Sequence, residues 1–136
     1  ICEEQYAKDN NLEILGRILS TSVQGCKADT MGLGPIGASQ KALARAKLSI
    51  NDIDIVELNE AFASQSLACI KDLQIDPNKV NLDGGALALG HPLGATGARI
   101  TGKVAQLLKR ENKKYALASQ CIGLGMGIAT IIESVD

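Results

Sequence analysis

Tryptophan is absent from this chain, and one phenylalanine, two tyrosines and one histidine are all it holds of the other ring side chains. With so little aromatic volume, the core has to be aliphatic and alanine-rich. Charge of a dominant sign is missing too: fourteen Lys and Arg stand against fifteen Asp and Glu, a formal net charge of −1. That balance offers no field to draw in nucleic acid. No run is long and apolar enough to span a bilayer. Cysteine is sparse, with Cys2, Cys26, Cys69 and Cys121. Their low density argues against a disulfide framework, no pair has C-x-x-C spacing, and one histidine cannot complete a convincing zinc set. The thiols are read as reduced, in the cytoplasm or an equally reducing compartment. No signal peptide is visible, and the chain opens on Ile1-Cys2 and enters a helix-like stretch, Glu3 to Lys8, almost at once. It reads as a piece of a longer protein.

What is present suits one folded domain. The 136 residues are 46% hydrophobic and 21% charged, ordinary values for a globular chain. Ile14 to Val23 reads as a strand. Pro35 follows a Gly32-Leu33-Gly34 loop and is placed to open a helix that runs to about Lys47. Ile53 to Leu58 is a short apolar strand, and a helix follows Asn59 to about Leu73, with Cys69 among its apolar residues as core packing. Val80 to Leu82 reads as a brief strand, Ala95 to Arg110 as a third helix, and Lys114 to Ser119 and Gly127 to Ser134 as a closing hairpin. The order β-α-β-α-β-α-β-β predicts an α/β layered fold with a mixed, mostly parallel five-stranded sheet over residues 1–136. In the third helix Arg99, Lys103, Gln106 and Arg110 form one narrow polar stripe, and the rest is small or apolar. Such a helix should be buried on more than one side, so a second covering layer is implied.

Two glycine-rich segments each carry one reactive side chain. His91 sits in Gly84 to Gly97, and Cys121 opens Cys121-Ile122-Gly123-Leu124-Gly125-Met126-Gly127. A loop histidine beside a proline turn and a buried core cysteine are the bland readings. Glycines around both favour chemistry, because they expose a side chain and its backbone N–H groups to a ligand. Asn59 stands between a strand and a helix; its spacing favours a helix N-cap, and the alternative is an amide aimed at a ligand or a bound water.

Four blocks together resemble the C-terminal half of a thiolase, of the acetyl-CoA acetyltransferase and 3-ketoacyl-CoA thiolase family. They are Met31-Gly32-Leu33-Gly34-Pro35, Asn59-Glu60-Ala61-Phe62-Ala63, Gly84 through Arg99, and Cys121 through Gly127. The resemblance implies acyl transfer between coenzyme A thioesters: condensation of two acyl-CoA molecules, or the reverse thiolysis of a 3-ketoacyl-CoA. It implies that His91 activates a nucleophilic cysteine and helps bind the thioester oxygen. Cys121 would move the α-proton of the second acyl-CoA. The Gly123 N–H would belong to a second oxyanion hole, Asn59 would hold a water for the first, and Phe62 would line the acyl pocket. The nucleophilic cysteine and the CoA-gripping loop domain would lie in an N-terminal half that this chain lacks. The expected partners are CoA and acyl-CoA, that N-terminal half, and further copies in a homo-oligomer of the parent; no metal or resident cofactor is expected. Leu124 stands where many members of the family carry a small residue. A β-ketoacyl synthase shares the fold but has no Cys-x-Gly segment, and a non-enzymatic binding or dimerisation module would not need His91, Cys121 and Asn59 together.

Overall fold

A four-stranded sheet lies between two helical layers in the computed structural model, which describes residues 1–135. The short α1 (Glu4–Asp9) leads into β1 (Arg17–Gly25), then α2 (Gly34–Ala46), β2 (Ile55–Leu58) and α3 (Ala63–Asp72). A single turn, α4 (Ala86–Leu89), and the longer α5 (Thr96–Arg110) precede the hairpin of β3 (Tyr115–Ile122) and β4 (Met126–Glu133).

Pro35 lies in the first turn of α2, where its missing N–H leaves no bond unmade. The helix stops at Lys47, which turns left-handed at φ 58° and donates its N–H back to Ala44 O. Between these ends Ala38, Ala42 and Leu43 recur at helical spacing and pack with Cys69 of α3 and Leu73 just beyond it against Val56, Leu58, Leu117 and Ile131 of the sheet. On the opposite face Ile100, Val104, Leu107 and Leu108 of α5 meet Ile55, Ala116, Ala118 and Ile132. Burying each such Leu or Ile contributes roughly 1.5–3 kcal/mol, so the aliphatic composition suffices without aromatic residues.

The α/β class holds, but two details of the sheet differ from the expectation. The order is β1-β4-β3-β2, with β2–β3 parallel and both β3–β4 and β4–β1 antiparallel. β1, β2 and β3 do run in one direction; β4 returns through the hairpin and inserts between β1 and β3, so most neighbours are antiparallel. The expected fifth strand, Val80 to Leu82, shrinks to a single parallel bridge between Val80 and Val56. Asn81 is the cause. Its backbone is left-handed, with φ 48°. Its side-chain amide, rather than a following residue, pairs with the β2 edge: Leu58 N–H donates to Asn81 Oδ1, and Asn81 Nδ2 donates to Leu58 O, each at 3.0 Å.

α5 covers only part of its side of the sheet. Beside it a groove of about 870 Å³ runs between Gly97, Thr101 and Ala105 of the helix and Ile18, Ile128 and Ile132 of the sheet. The small residues that extended the apolar character of this helix line that open side.

Candidate active site

Parallel pairing brings the carboxyl ends of β2 and β3 to one edge of the sheet. Asn59, the residue after β2, donates its N–H to Ser119 O of β3 at 2.9 Å, and Cys121 lies two residues further along β3. This edge is where open α/β sheets bind ligands. The chain does not turn into a helix at Asn59. Phe62 remains extended at φ −147° and α3 begins only at Ala63, so Asn59 is not the N-cap that its spacing favours. Its side chain is fully buried and points instead to the histidine loop: Asn59 Nδ2 lies 3.4 Å from His91 Nε2.

Two acceptors tie that loop down. Glu60 accepts from the Leu87 N–H at 2.9 Å through one carboxylate oxygen and from Asn81 Nδ2 at 3.0 Å through the other. Gly85 sits against this pair, and a Cβ there would run into the Glu60 carboxylate and the Asn81 amide. The glycine is therefore needed for close approach.

His91 is oriented from its other nitrogen. Nδ1 lies 2.7 Å from Thr96 Oγ1, and the Thr96 hydroxyl donates to Pro92 O at 3.1 Å. A hydroxyl has one hydrogen, so with it committed to Pro92 the oxygen accepts from Nδ1–H. Nε2 then carries the lone pair of a neutral imidazole, with the Asn59 amide as a donor beside it. Thr96 is fully buried. Its one signal in the sequence is its place at the start of a helix, five residues beyond the histidine.

Cys121 is half-buried and paired across the hairpin with Gly127. Burial pushes its thiol above the ordinary range, opposed by a backbone hydrogen bond and reinforced by the nearby Cys26. Gly127 has a packing reason: a Cβ there would collide with the backbone of Gly34 at the start of α2. Gly123 and Leu124 form the exposed tip of the hairpin, with Leu124 left-handed at φ 70°. Phe62 is 66% exposed at the start of α3. The fold thus joins Asn59 to His91 and puts Cys121 on the same edge. Neither Cys121 nor Gly123 is hydrogen-bonded to that pair among the described residues.

A further pair escaped sequence reasoning. Glu57 sits in the otherwise apolar β2, wholly buried, with Arg99 Nη1 3.6 Å from its Oε2. Burial pushes the Glu57 carboxyl up to about 7, against the pull of Arg99 and Lys103 and with added push from Asp83 and Glu60. Arg99, half-buried within the polar stripe of α5, thus turns one end of its guanidinium inward to Glu57. The half-buried Lys103 and the exposed Arg110 both bind Asp83 and hold its carboxyl well below the usual range. A charged residue inside a strand apolar on both sides was the available signal, because a buried charge needs a partner.

Comparison with known proteins decides what this edge belongs to. The family profile described as "Thiolase, C-terminal domain" matches residues 12–134. The chain belongs to the thiolase family, as its C-terminal domain. It is 52% identical, over 99% of its length, to the 3-ketoacyl-CoA thiolase of Shewanella sp. (strain ANA-3), and 53% identical over 98% to that of Vibrio parahaemolyticus. Among solved structures, human mitochondrial 3-ketoacyl-CoA thiolase superposes with a TM-score of 0.96 at 48% identity over 99% of the chain. The acetyl-CoA acetyltransferase of Bacillus anthracis gives 0.94 at 44% over 98%. The chain spans about a third of the length of the curated relatives it matches, 36% of the Shewanella protein. It likewise covers 34% of the human one.

Proposed function

We propose that this thiolase domain supplies one half of an active site for acyl transfer between coenzyme A thioesters. The reaction is condensation of two acetyl-CoA molecules to acetoacetyl-CoA, or thiolysis of a 3-ketoacyl-CoA in reverse. The observation that carries this reading is the orientation of His91. Thr96 holds Nδ1–H, which leaves the Nε2 lone pair beside Asn59 at the ligand-binding edge of the sheet. The relatives named 3-ketoacyl-CoA thiolase support it, as does a solved human mitochondrial thiolase in complex with CoA, 49% identical and with a TM-score of 0.95.

In this reading the nucleophilic cysteine belongs to an N-terminal half. His91 Nε2 takes its thiol proton, because the thiolate is the nucleophile. The thiolate adds to the acyl-CoA carbonyl, His91 returns the proton to the departing CoA thiolate, and an acyl-enzyme remains. Cys121, in the thiolate form that burial disfavours in the isolated domain, then removes the α-proton of a second acetyl-CoA. The resulting carbanion attacks the acyl-enzyme carbonyl and expels the cysteine sulfur. Negative charge grows on a carbonyl oxygen in both steps and needs preorganised donors. The Asn59 amide, through a water, serves the first step and the Gly123 N–H the second; Phe62 lines the acyl chain. The thioester substrates supply all the chemistry required, so no resident cofactor or metal is invoked. In this reading the parent is a cytoplasmic homo-oligomer.

Fusing the chain behind the N-terminal part of the Shewanella sp. (strain ANA-3) thiolase tests this directly. The fusion should cleave acetoacetyl-CoA with CoA. His91→Ala should lower the acylation burst on the order of 10²–10⁴-fold, the span typical of general acid–base catalysis. Cys121→Ser should still form the acyl-enzyme yet slow condensation by a similar factor, a hydroxyl being a far weaker base than a thiolate. A folded, soluble fusion without turnover overturns the proposal.

A further inference from the structure

Glu57 lies on β2 and Asn59 directly follows its end, two residues on, so by the alternation of the strand their side chains project to the same side. Thr96 and Arg99 are three apart on α5, so they too share a face. The two elements therefore meet through two rungs. The first runs from Asn59 through His91 to Thr96, and the second joins Glu57 to Arg99. The second rung is costly. Neither carboxylate oxygen of Glu57, and neither Nε nor Nη2 of Arg99, has a hydrogen-bond partner among the described residues. The Glu57 carboxylate is wholly buried while Arg99 is half-buried, and each is the nearest opposite charge of the other. A pair of this kind generally adds less stability than apolar residues of the same volume, while removing one partner leaves a buried charge uncompensated. Its use must lie elsewhere, and its position, one helical turn from Thr96, indicates where.

We propose that the pair of the buried Glu57 with the half-buried Arg99 is a positioning device for His91. It seats the first turn of α5 on the end of β2, so that the Thr96 hydroxyl stays at Nδ1 and Nε2 stays beside Asn59. Neither residue touches the reacting atoms; both act through the orientation of the imidazole. The pair is attractive only while Glu57 is ionised. The charged groups facing Glu57 are Arg99 and Lys103 from α5, Asp83 from the loop ahead of α4, and Glu60 beyond the end of β2.

The inference deepens the acyl-transfer reading but is tested without turnover, because His91 is the only histidine in the chain. Its ring nitrogens give unambiguous ¹⁵N signals in the 136-residue protein, and their shifts report which nitrogen carries the proton. In its neutral form the wild-type imidazole should show the Nδ1–H tautomer alone. Glu57→Gln should shift it to a mixture of both tautomers. The double variant Glu57→Gln/Arg99→Met, which removes both charges together, should do the same and covers the case in which the single variant fails to fold. Leu43→Ala, on the opposite face of the sheet, is the control. It should lower the melting temperature at least as much as either variant and leave the tautomer untouched. Unchanged ¹⁵N shifts in the folded charge variants overturn the proposal, and so does a Leu43→Ala spectrum as mixed as theirs. In the fusion enzyme Glu57→Gln should reduce kcat at least tenfold with KM nearly unchanged. An inactive fusion would sink the acyl-transfer reading and leave the ¹⁵N result standing.

Discussion

Glu57 takes up a proton in the folded chain well above its ordinary value of 4.5, at about 7, because burial disfavours the carboxylate. Between those two values the native state holds a proton that the unfolded chain has released. Stability from this group is complete below 4.5 and is lost as pH rises through 7, with a slope no steeper than about 1.4 kcal/mol per pH unit. Urea unfolding of the wild type and Glu57→Gln from pH 4.5 to 7.5 should therefore give curves whose difference changes in that sense; parallel curves would show that the carboxyl titrates normally. The same energetics explain why ionising this residue does not serve stability. At this scale the sequence was uneven. His91 and Cys121 stood out because glycines surround them. Thr96 and Glu57 did not, because their meaning depends on a neighbour brought in from another element.

The closing hairpin lies in place because α2 can come very near it. Gly34 and Gly127 touch backbone to backbone, with no space for a Cβ on either. Gly127→Ala should thus force the start of α2 away from β4, at a cost of about 1–3 kcal/mol or more by overpacking. Because Gly127 pairs with Cys121, the shift should also move the thiol. Chemical denaturation measures the first effect, and the rate at which a thiol reagent labels Cys121 measures the second; an unaltered midpoint together with an unaltered rate would contradict this account of the contact. Helix positions were legible in the sequence from periodicity, with Pro35 and Lys47 marking the ends of α2. The strand expected at Val80 ends after one bridge because Asn81 turns left-handed and continues the pairing with Leu58 through its side-chain amide, which a run of apolar residues cannot reveal.

At the level of the whole molecule, α5 has one face on β2 and β3 and another on an open groove of about 870 Å³. Exposed apolar surface also includes Leu93 and Leu124 near the two reactive loops, 82% and 94% accessible. An open apolar groove together with exposed leucines favours association. The isolated chain should accordingly run in solution above the 14.2 kDa of one copy, bind a hydrophobic dye, and give no thiolysis of acetoacetyl-CoA. Sedimentation and dye fluorescence check the first two, and both signals should fall in the fusion, where the added half has somewhere to pack. A dye-silent monomer would mean that the groove is not a packing surface, and turnover by the pure chain would mean that the site is already complete.

The amino-acid sequence by itself determined the layered α/β class, the aliphatic core and the two loops that carry His91 and Cys121. These rest on local physics: hydrophobic periodicity, proline and glycine at element ends, and glycine-rich turns that leave a side chain exposed. The tertiary structure decided which strands are neighbours, because the direction of β4 follows from where the hairpin inserts and not from any property of β4 alone. It also decided the state of the site. The proton on His91 is assigned by Thr96, Asn59 is turned from a helix cap into a neighbour of the imidazole, and Glu57 and Arg99 acquire a task only once α5 lies across β2. Contacts between residues tens of positions apart exist only after the layers have packed, so no window along the chain contains them.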